Sequence, residues 1–219
     1  MIEQPIVSIV IRTKNRASML ARALDDVLAQ SFADWETVVV NDGGEVGLVD
    51  DVVSARSEPL AGRARVIHRP GRGGMEAASN AGVGVSSGRY VVIHDDDDTW
   101  DPEFLTRTVA HLDANPDALA VAVSTEIVIE RIEGSEIVDV ERHPFVPPGE
   151  LVSLFDLLTT NRVVPIGLLV RRSAIDELGG FDESLDVVGD WDFNLRLVTK
   201  GRVDYLPGAP LAQWRQRPA

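Results

Sequence analysis

The segment "IVSIVI", Ile6 to Ile11, is an unbroken, largely β-branched run, and such a run suits a strand covered on both faces. It leads into "RTKNRASMLARALDDVLAQ", where Leu20, Ala23, Leu24, Val27 and Leu28 recur at helical spacing. The alternation continues. "WETVVVNDGG" (Trp35–Gly44) reads as a second strand, halted by polar residues and glycine, and "ARVIHR" (Ala64–Arg69) as a third. A Gly-rich turn and a small-residue helix, "GGMEAASNAGV", lead to a fourth, "RYVVIH" (Arg89–His94). After the run Asp95–Asp98 a helix is expected from Pro102 to about Ala114, with Asp101 as N-cap and Pro102 at its first position. Apolar strands alternating with helices imply an α/β fold, a mostly parallel central sheet flanked by helices and joined by right-handed crossovers. Ligands of such sheets bind beyond the carboxyl ends of the strands. Three polar clusters fall there, Arg12–Arg16, Asn41–Gly44 and Asp95–Asp98, and they are expected to meet at one crevice.

The second half reads differently. "ALAVAVSTEIVIE" and "SEIVDVER" are expected to form longer strands in a hairpin around Gly134, and the Pro-rich "HPFVPPGE" to form a junction or loop. "NRVVPIGLLVRRSAIDELGGF" reads as a strand and a short helix closed by Gly179 and Gly180. "GDWDFNLRLVTKG" reads as a helix with Trp191 or Phe193, Leu195 and Val198 inward, ended by Gly201.

Composition narrows the function classes. A net charge of −14 argues against nucleic acid or an anionic bilayer as main partner, so an anionic substrate would need a local cation or arginine cluster. With no cysteine there is no disulfide frame, thiolate metal site or thiol nucleophile. The N-terminus lacks the pattern of a signal peptide, and no apolar run approaches the ~18 residues of a membrane span. A cytoplasmic protein is expected.

Adjacent carboxylates repel, so Asp95–Asp98 calls for an explanation. One reading is a solvated, helix-capping acidic loop. The other is a divalent-cation site, and oxygen ligands without thiols favour Mg²⁺ or Mn²⁺ over Zn²⁺. Strand alternation puts Asp95 and Asp97 on one side and Asp96 and Asp98 on the other. A D-x-D pair can hold a metal whose open positions bind a diphosphate and stabilise it as a leaving group.

Two families carry acidic strand-end motifs of this shape. Asp95-x-Asp97-x-Thr99 resembles the D-x-D-x-T of haloacid-dehalogenase-type phosphatases, with Asp95 as nucleophile, and Ser124–Thr125 and Gly189-Asp190 mimic later motifs. The lysine that this chemistry needs is missing between residues 126 and 188. The resemblance to family 2, GT-A-fold glycosyltransferases covers nearly the whole chain. "VSIVIRTKNRASMLARALDDVLAQSFADWETVVVNDGG" resembles the opening strand, T-x-N-R turn, helix and second strand; "GGMEAASNAGVGVSSGRYVVIHDDDDTWDPEFL" resembles the third segment with its D-x-D; and "GLLVRRSAIDELGGFDESLDVVGDWDFNLRL" resembles the acceptor half.

The resemblance implies an inverting transfer of a sugar from a nucleotide-diphosphate sugar to a hydroxyl acceptor, with residues 1–115 binding the donor and 116–219 the acceptor. Asp42 would take a hydrogen bond from the base, although on its own it reads as a turn residue. Arg12, Thr13 and Asn15 would line base and ribose, Asn15 orienting the loop, and Asp96 would reach the ribose. Asp95 and Asp97 would hold Mn²⁺ or Mg²⁺, Asp97 as the direct ligand, and Arg72 would touch the diphosphate. Asp190, otherwise a helix-capping residue, would be the general base. Trp191 or Trp100 could stack on a sugar face. Four departures stand out: Gly189 for the usual Glu before the base, Asn41 for the first Asp of D-D-G-S, Ser79 for the common Arg before Asn80, and a C-terminal segment without the His of many relatives. They keep open a non-catalytic nucleotide-sugar-binding relative.

Overall fold

The computed structural model describes residues 4–71, 73–133, 136–145 and 151–217. Arg72, Gly134 and most of the Pro-rich segment lie outside the described residues. In chain order the elements are β1 (Val7–Thr13), α1 (Ala17–Leu28), β2 (Trp35–Asp42), α2 (Val46–Ser54), α3 (Ser57–Leu60), β3 (Ala64–Arg69), α4 (Met75–Val85), β4 (Tyr90–Asp95) and β5 (Thr99–Trp100). There follow α5 (Phe104–Ala114), β6 (Ala118–Val123), β7 (Thr125–Glu133), β8 (Glu136–Pro144), α6 (Leu154–Leu157), β9 (Leu168–Arg171), α7 (Arg172–Leu178), α8 (Gly189–Lys200), β10 (Arg202–Leu206) and β11 (Ala212–Gln216).

Alternate residues of β1 go to opposite faces of the central sheet, and both faces are dry. Ile9 and Ile11 join a core with Leu20, Leu24 and Val27 of α1, whereas Val10 joins a second core with Ala78 and Val83 of α4 and Phe193 and Leu197 of α8. That is why the strand carries no alternation of apolar and polar residues. The central sheet has the order β10-β6-β9-β4-β1-β2-β3 among the described residues. β4, β1, β2 and β3 run parallel, and β9 is antiparallel to both β4 and β6. The α/β fold with a mostly parallel sheet is as the sequence implies.

Several local expectations are corrected. The stretch from Ala118 to Glu130 is two strands in two sheets. Ser124 is the switch: its N–H donates to Leu206 O (3.1 Å) and its carbonyl accepts from Leu211 N (2.9 Å), so β6 ends on β10 and β7 begins on β11. β7 and β8 form the expected antiparallel pair inside a smaller sheet of order β5-β11-β7-β8. α5 starts at Phe104 because Asp101 builds a turn instead of capping the helix at Pro102. Its side chain accepts from Glu103 N (2.9 Å) and its carbonyl from Phe104 N (3.0 Å). On α8 the inward aromatic is Phe193; Trp191 is half-buried, its indole N–H donating to Leu157 O (2.8 Å). Trp100 is interior, stacked on Phe104 with ring centroids 4.4 Å apart, and is no sugar platform.

α4 lies unusually close to the sheet, and Gly82 is the reason. A Cβ there would stand 2.3 Å from Val10 Cγ1 and 3.0 Å from Val40 Cγ2. Gly82→Ala gains about 1 kcal/mol of helix propensity, but prying α4 off β1 costs roughly 1–3 kcal/mol. In urea denaturation the variant is therefore expected to unfold at a lower midpoint. An unchanged or higher midpoint would show that α4 does not sit this close.

Candidate active site

The parallel ladder between β1 and β4 puts Arg12 opposite Asp95. Residues paired in this way share a face, so the guanidinium meets the carboxylate directly: Nε donates to Oδ1 (2.8 Å) and Nη2 to Oδ2 (2.6 Å). The third nitrogen, Nη1, reaches Met75 O and Ser79 Oγ (3.1 Å) on α4. One arginine thus ties together two strand ends and a helix start.

The rest of the aspartate run is also held by arginines and hydroxyls. Asp96, buried, accepts from Thr13 Oγ1 (2.7 Å) and Arg16 Nη1 (3.1 Å); burial lifts its pKa to about 6 despite both bonds. Asp97 accepts from Arg16 (2.9 Å) and from Arg217, which lies just beyond β11. Asp98 is buried and accepts from Arg215 N (2.8 Å); burial and the neighbouring Asp95 push its pKa well up. Behind them the Glu130 carboxylate receives Arg22, Arg215 and Arg217, each at 2.6 Å. Burial raises the pKa of Glu130, but these donors outweigh it and hold the group below its ordinary value. The expected division of the run into an outer pair, Asp95 and Asp97, and an inner pair, Asp96 and Asp98, is present.

The three polar clusters do converge. A cavity of about 310 Å³ at the strand ends is lined by residues including Arg12, Thr13, Lys14, Arg16, Asp42 and Asp96. Asn15 takes a left-handed conformation (φ 55°), and its Oδ1 accepts from Glu45 N (2.7 Å), so it orients the loop between β1 and α1. Asp42 borders the cavity, but its carboxylate is largely engaged, accepting from Arg69 (2.8 Å), Gly73 N (3.0 Å) and Gly74 N (3.1 Å). Asn41, where an aspartate is usual, accepts from Gly44 N (2.9 Å) and donates to Gly44 O (3.1 Å), shaping the turn after β2. Arg72 is outside the described residues.

Asp190 enters from the other half, in the first turn of α8. The residue before the helix, Val188, is forced into the left-handed region (φ 59°), a strained conformation for a β-branched side chain. Asn161 Nδ2 donates to Asp190 Oδ2 (2.8 Å). Burial against the pocket formed with Ile93, Phe181 and Phe193 raises its pKa, while the Trp191 N–H, Arg12 and Asn161 pull it back. A carboxylate raised in this way holds a proton more tightly than an ordinary one.

Sequence reasoning missed Asn161 as a partner of Asp190, the Arg215–Arg217 contacts and Glu76, a buried residue in the first turn of α4. Only pairing of β11 with β7 brings the C-terminal arginines here, and nothing local in "AQWRQR" signals it. Glu76, the one acidic residue in a run of small ones, was visible. Lys14 also borders the cavity and makes no ion pair among the described residues.

The donor set suits a hard divalent cation in one respect: every candidate ligand is a carboxylate. Among the described residues no three His, Asp or Glu gather in a metal-binding group. Asp95 and Asp97 would thus supply at most two ligands, the usual arrangement for Mg²⁺-type sites completed by substrate phosphate and water.

Comparison with known proteins shows the family and the fold. The Glycosyl transferase family 2 model matches residues 8–179. YwdF, an uncharacterised glycosyltransferase of Bacillus subtilis (strain 168), is 32% identical over 203 residues, covering 93% of this chain and 72% of its own length. A PGL/p-HBAD biosynthesis glycosyltransferase of Mycobacterium bovis (strain BCG / Pasteur 1173P2) is 26% identical over 88% of this chain and 69% of its own length. Among solved structures, S. aureus TarS 1–349 in complex with UDP-GlcNAc superposes with a TM-score of 0.78 at 18% identity, over 97% of this chain and 59% of TarS 1–349. The mannosyltransferase PcManGT of Pyrobaculum calidifontis, with GDP-Man and Mn²⁺, gives 0.70 at 19% identity, over 97% of this chain and 57% of that one. The chain therefore spans under two thirds of both solved structures, and the likeness to them fixes the fold as GT-A. From the match over residues 8–179, the chain belongs to glycosyl transferase family 2.

Proposed function

We propose that this protein is an inverting, metal-assisted glycosyltransferase that moves a sugar from a nucleotide-diphosphate sugar to an acceptor hydroxyl. The observation that carries the reading is Arg12, whose guanidinium is bonded to Asp95 and attracted by Asp190, so that the strand-end cavity and a buried carboxylate share one centre. The nucleotide occupies the cavity of β1, β2 and β4, with Asp42 and Thr13 beside the base and ribose and Asp96 toward the ribose hydroxyls. Residues 1–115 serve the donor and 116–219 the acceptor. Lys14, Arg16 and Arg217 offset the protein's negative field for a diphosphate. Asp95 and Asp97 would hold Mn²⁺ or Mg²⁺, which when bound supplies a Lewis acid to the leaving diphosphate.

Asp190 takes the proton of the acceptor hydroxyl as its oxygen attacks the anomeric carbon. The bond from that carbon to the diphosphate oxygen breaks on the opposite face, and the nucleoside diphosphate leaves with the electron pair. TarS in complex with UDP-GlcNAc and PcManGT with GDP-Man and Mn²⁺ support this donor class and metal. A phosphatase acting through Asp95 loses its ground, since the chain belongs to another family.

A thermal-shift panel of UDP, GDP, CDP and dTDP with and without Mn²⁺ tests the donor site. One nucleotide is expected to raise the melting temperature more with the metal, by mass action on the native state. Asp96→Asn is expected to weaken that rise, and no rise with any nucleotide would overturn the reading. Turnover without binding loss separates the base: Asp190→Asn is expected to keep the nucleotide shift and to lose roughly 10²–10⁴-fold in transfer.

The pH dependence follows from the same carboxylate. Asp190 works only when ionised, so activity is present above its folded pKa and is lost as pH falls through it. Because burial raises that pKa, the acid limb is expected above the ordinary carboxylate range. Asn161→Ala removes a donor that favours the anion, so the limb is expected to move to still higher pH. A limb that stays put or falls would show that Asn161 does not tune the base.

A further inference from the structure

Glu76 lies in the first turn of α4, only 5% exposed, and makes no hydrogen bond or ion pair among the described residues. Both carboxylate oxygens nonetheless keep a little contact with solvent, so the group is recessed within the fold rather than sealed into the core. An acidic residue in a first helical turn gains a little from the helix dipole, but that gain needs no burial. The charge that acts on it is the Arg12 guanidinium, which also feels Asp95 and Asp190.

Its surroundings are specific. A Cβ on residue 189 would stand 2.3 Å from both Cγ and Oε1 of Glu76, so the side chain fills the volume that any residue but glycine would need there. The second oxygen, Oε2, lies 3.9 Å from where a Cβ on Gly74, a residue lining the strand-end cavity, would stand. The carboxylate therefore reaches from the backbone next to Asp190 to the edge of the donor cavity.

We propose that Glu76 is a substrate-binding residue of the reacting centre, accepting a hydrogen bond from a sugar hydroxyl bound beside Asp190. This rests on the glycosyltransferase reading above. The ligand chemistry is a polyhydroxylated ring with a hydroxyl next to the reacting carbon or oxygen, which the transferred sugar and a saccharide acceptor both offer. A bound hydroxyl would supply the hydrogen-bond donor that none of the described residues gives this carboxylate.

The test uses the full chain, Glu76→Gln, and the double variant Glu76→Ser/Gly189→Glu, which moves the carboxylate from α4 to α8. Melting temperature is measured first. A residue kept for substrate is expected to leave it unchanged or raised in Glu76→Gln, whereas a fall of several degrees would make Glu76 structural and overturn the proposal. Kinetics then use UDP-GlcNAc and GDP-mannose with Mn²⁺, and methyl glycosides or water as acceptor. Glu76→Gln is expected to raise one KM at least tenfold, that of the donor if the hydroxyl belongs to the transferred sugar, or that of the methyl glycoside if it belongs to the acceptor. The double variant is expected to recover part of the loss. Unchanged KM values in Glu76→Gln, with the nucleotide shift intact, would sink this proposal alone. Absence of any nucleoside diphosphate shift or turnover in the parent would bring down the transferase reading, and this proposal with it.

Discussion

The bond between Arg12 and Asp95 is the constraint on which the site depends. It is set by the register of β1 against β4, and a slip of one residue would turn every side chain of β1 to the other face. The same register that buries Ile9 and Ile11 on one core and Val10 on the other therefore also places the guanidinium. Both members are substantially shielded from water, Arg12 with 9% of its side chain exposed. Removing Asp95 would leave the Arg12 guanidinium buried without its main partner, a loss of about 3–5 kcal/mol where such a charge is fully shielded. Folding energy and site geometry are here the same interaction.

Four adjacent aspartates would repel strongly in a low-dielectric site. The fold answers by dividing them. Asp96 and Asp98 turn inward to Thr13, Arg16 and a backbone N–H, where burial raises their pKa values and thereby eases the repulsion. Asp95 and Asp97 stay at the cleft and lean on Arg12, Arg16 and Arg217. Asp98 is held within the fold, Asp96 is held there too but forms part of the cavity wall, and Asp95 and Asp97 stand at the cleft.

Much of this was legible in the sequence because it is local. Unbroken Val and Ile runs fix two-sided strands, and the spacing of Leu20, Ala23, Leu24 and Val27 fixes the buried stripe of α1. The convergence of three strand-end clusters follows from parallel topology alone. What could not be read depends on pairing between distant segments. Ser124 looks like any residue within a strand until β10 and β11 arrive on either side of it. Asp101 carries the pattern of a cap, yet a turn through Pro102 and Glu103 comes first. Arg215 and Arg217 lie 85 and 87 residues from Glu130, and no short-range rule connects them. Asp42 reads as a base contact or as the turn residue before Gly43 and Gly44, and nothing local signals that its carboxylate accepts from Arg69 and from the backbone of Gly73 and Gly74.

The departures from the family pattern share one physical logic. Ser79 stands where an arginine is common, and it is fully buried beneath the Arg12 guanidinium that β1 supplies. A second arginine at that position would place like charges in one small space. Gly189 stands where a glutamate is common, and the Glu76 side chain of α4 occupies the room its missing Cβ leaves. In both cases a side chain from another element takes up the space at that position. Charge and shape at a reacting centre are constrained in space rather than along the chain, because a substrate meets the field and not the sequence. A motif with a missing letter is then weak evidence for lost chemistry, provided the structure returns the same group from a neighbouring element. Arg12 meets that condition by its bonds, and for Glu76 it turns on the substrate contact proposed above.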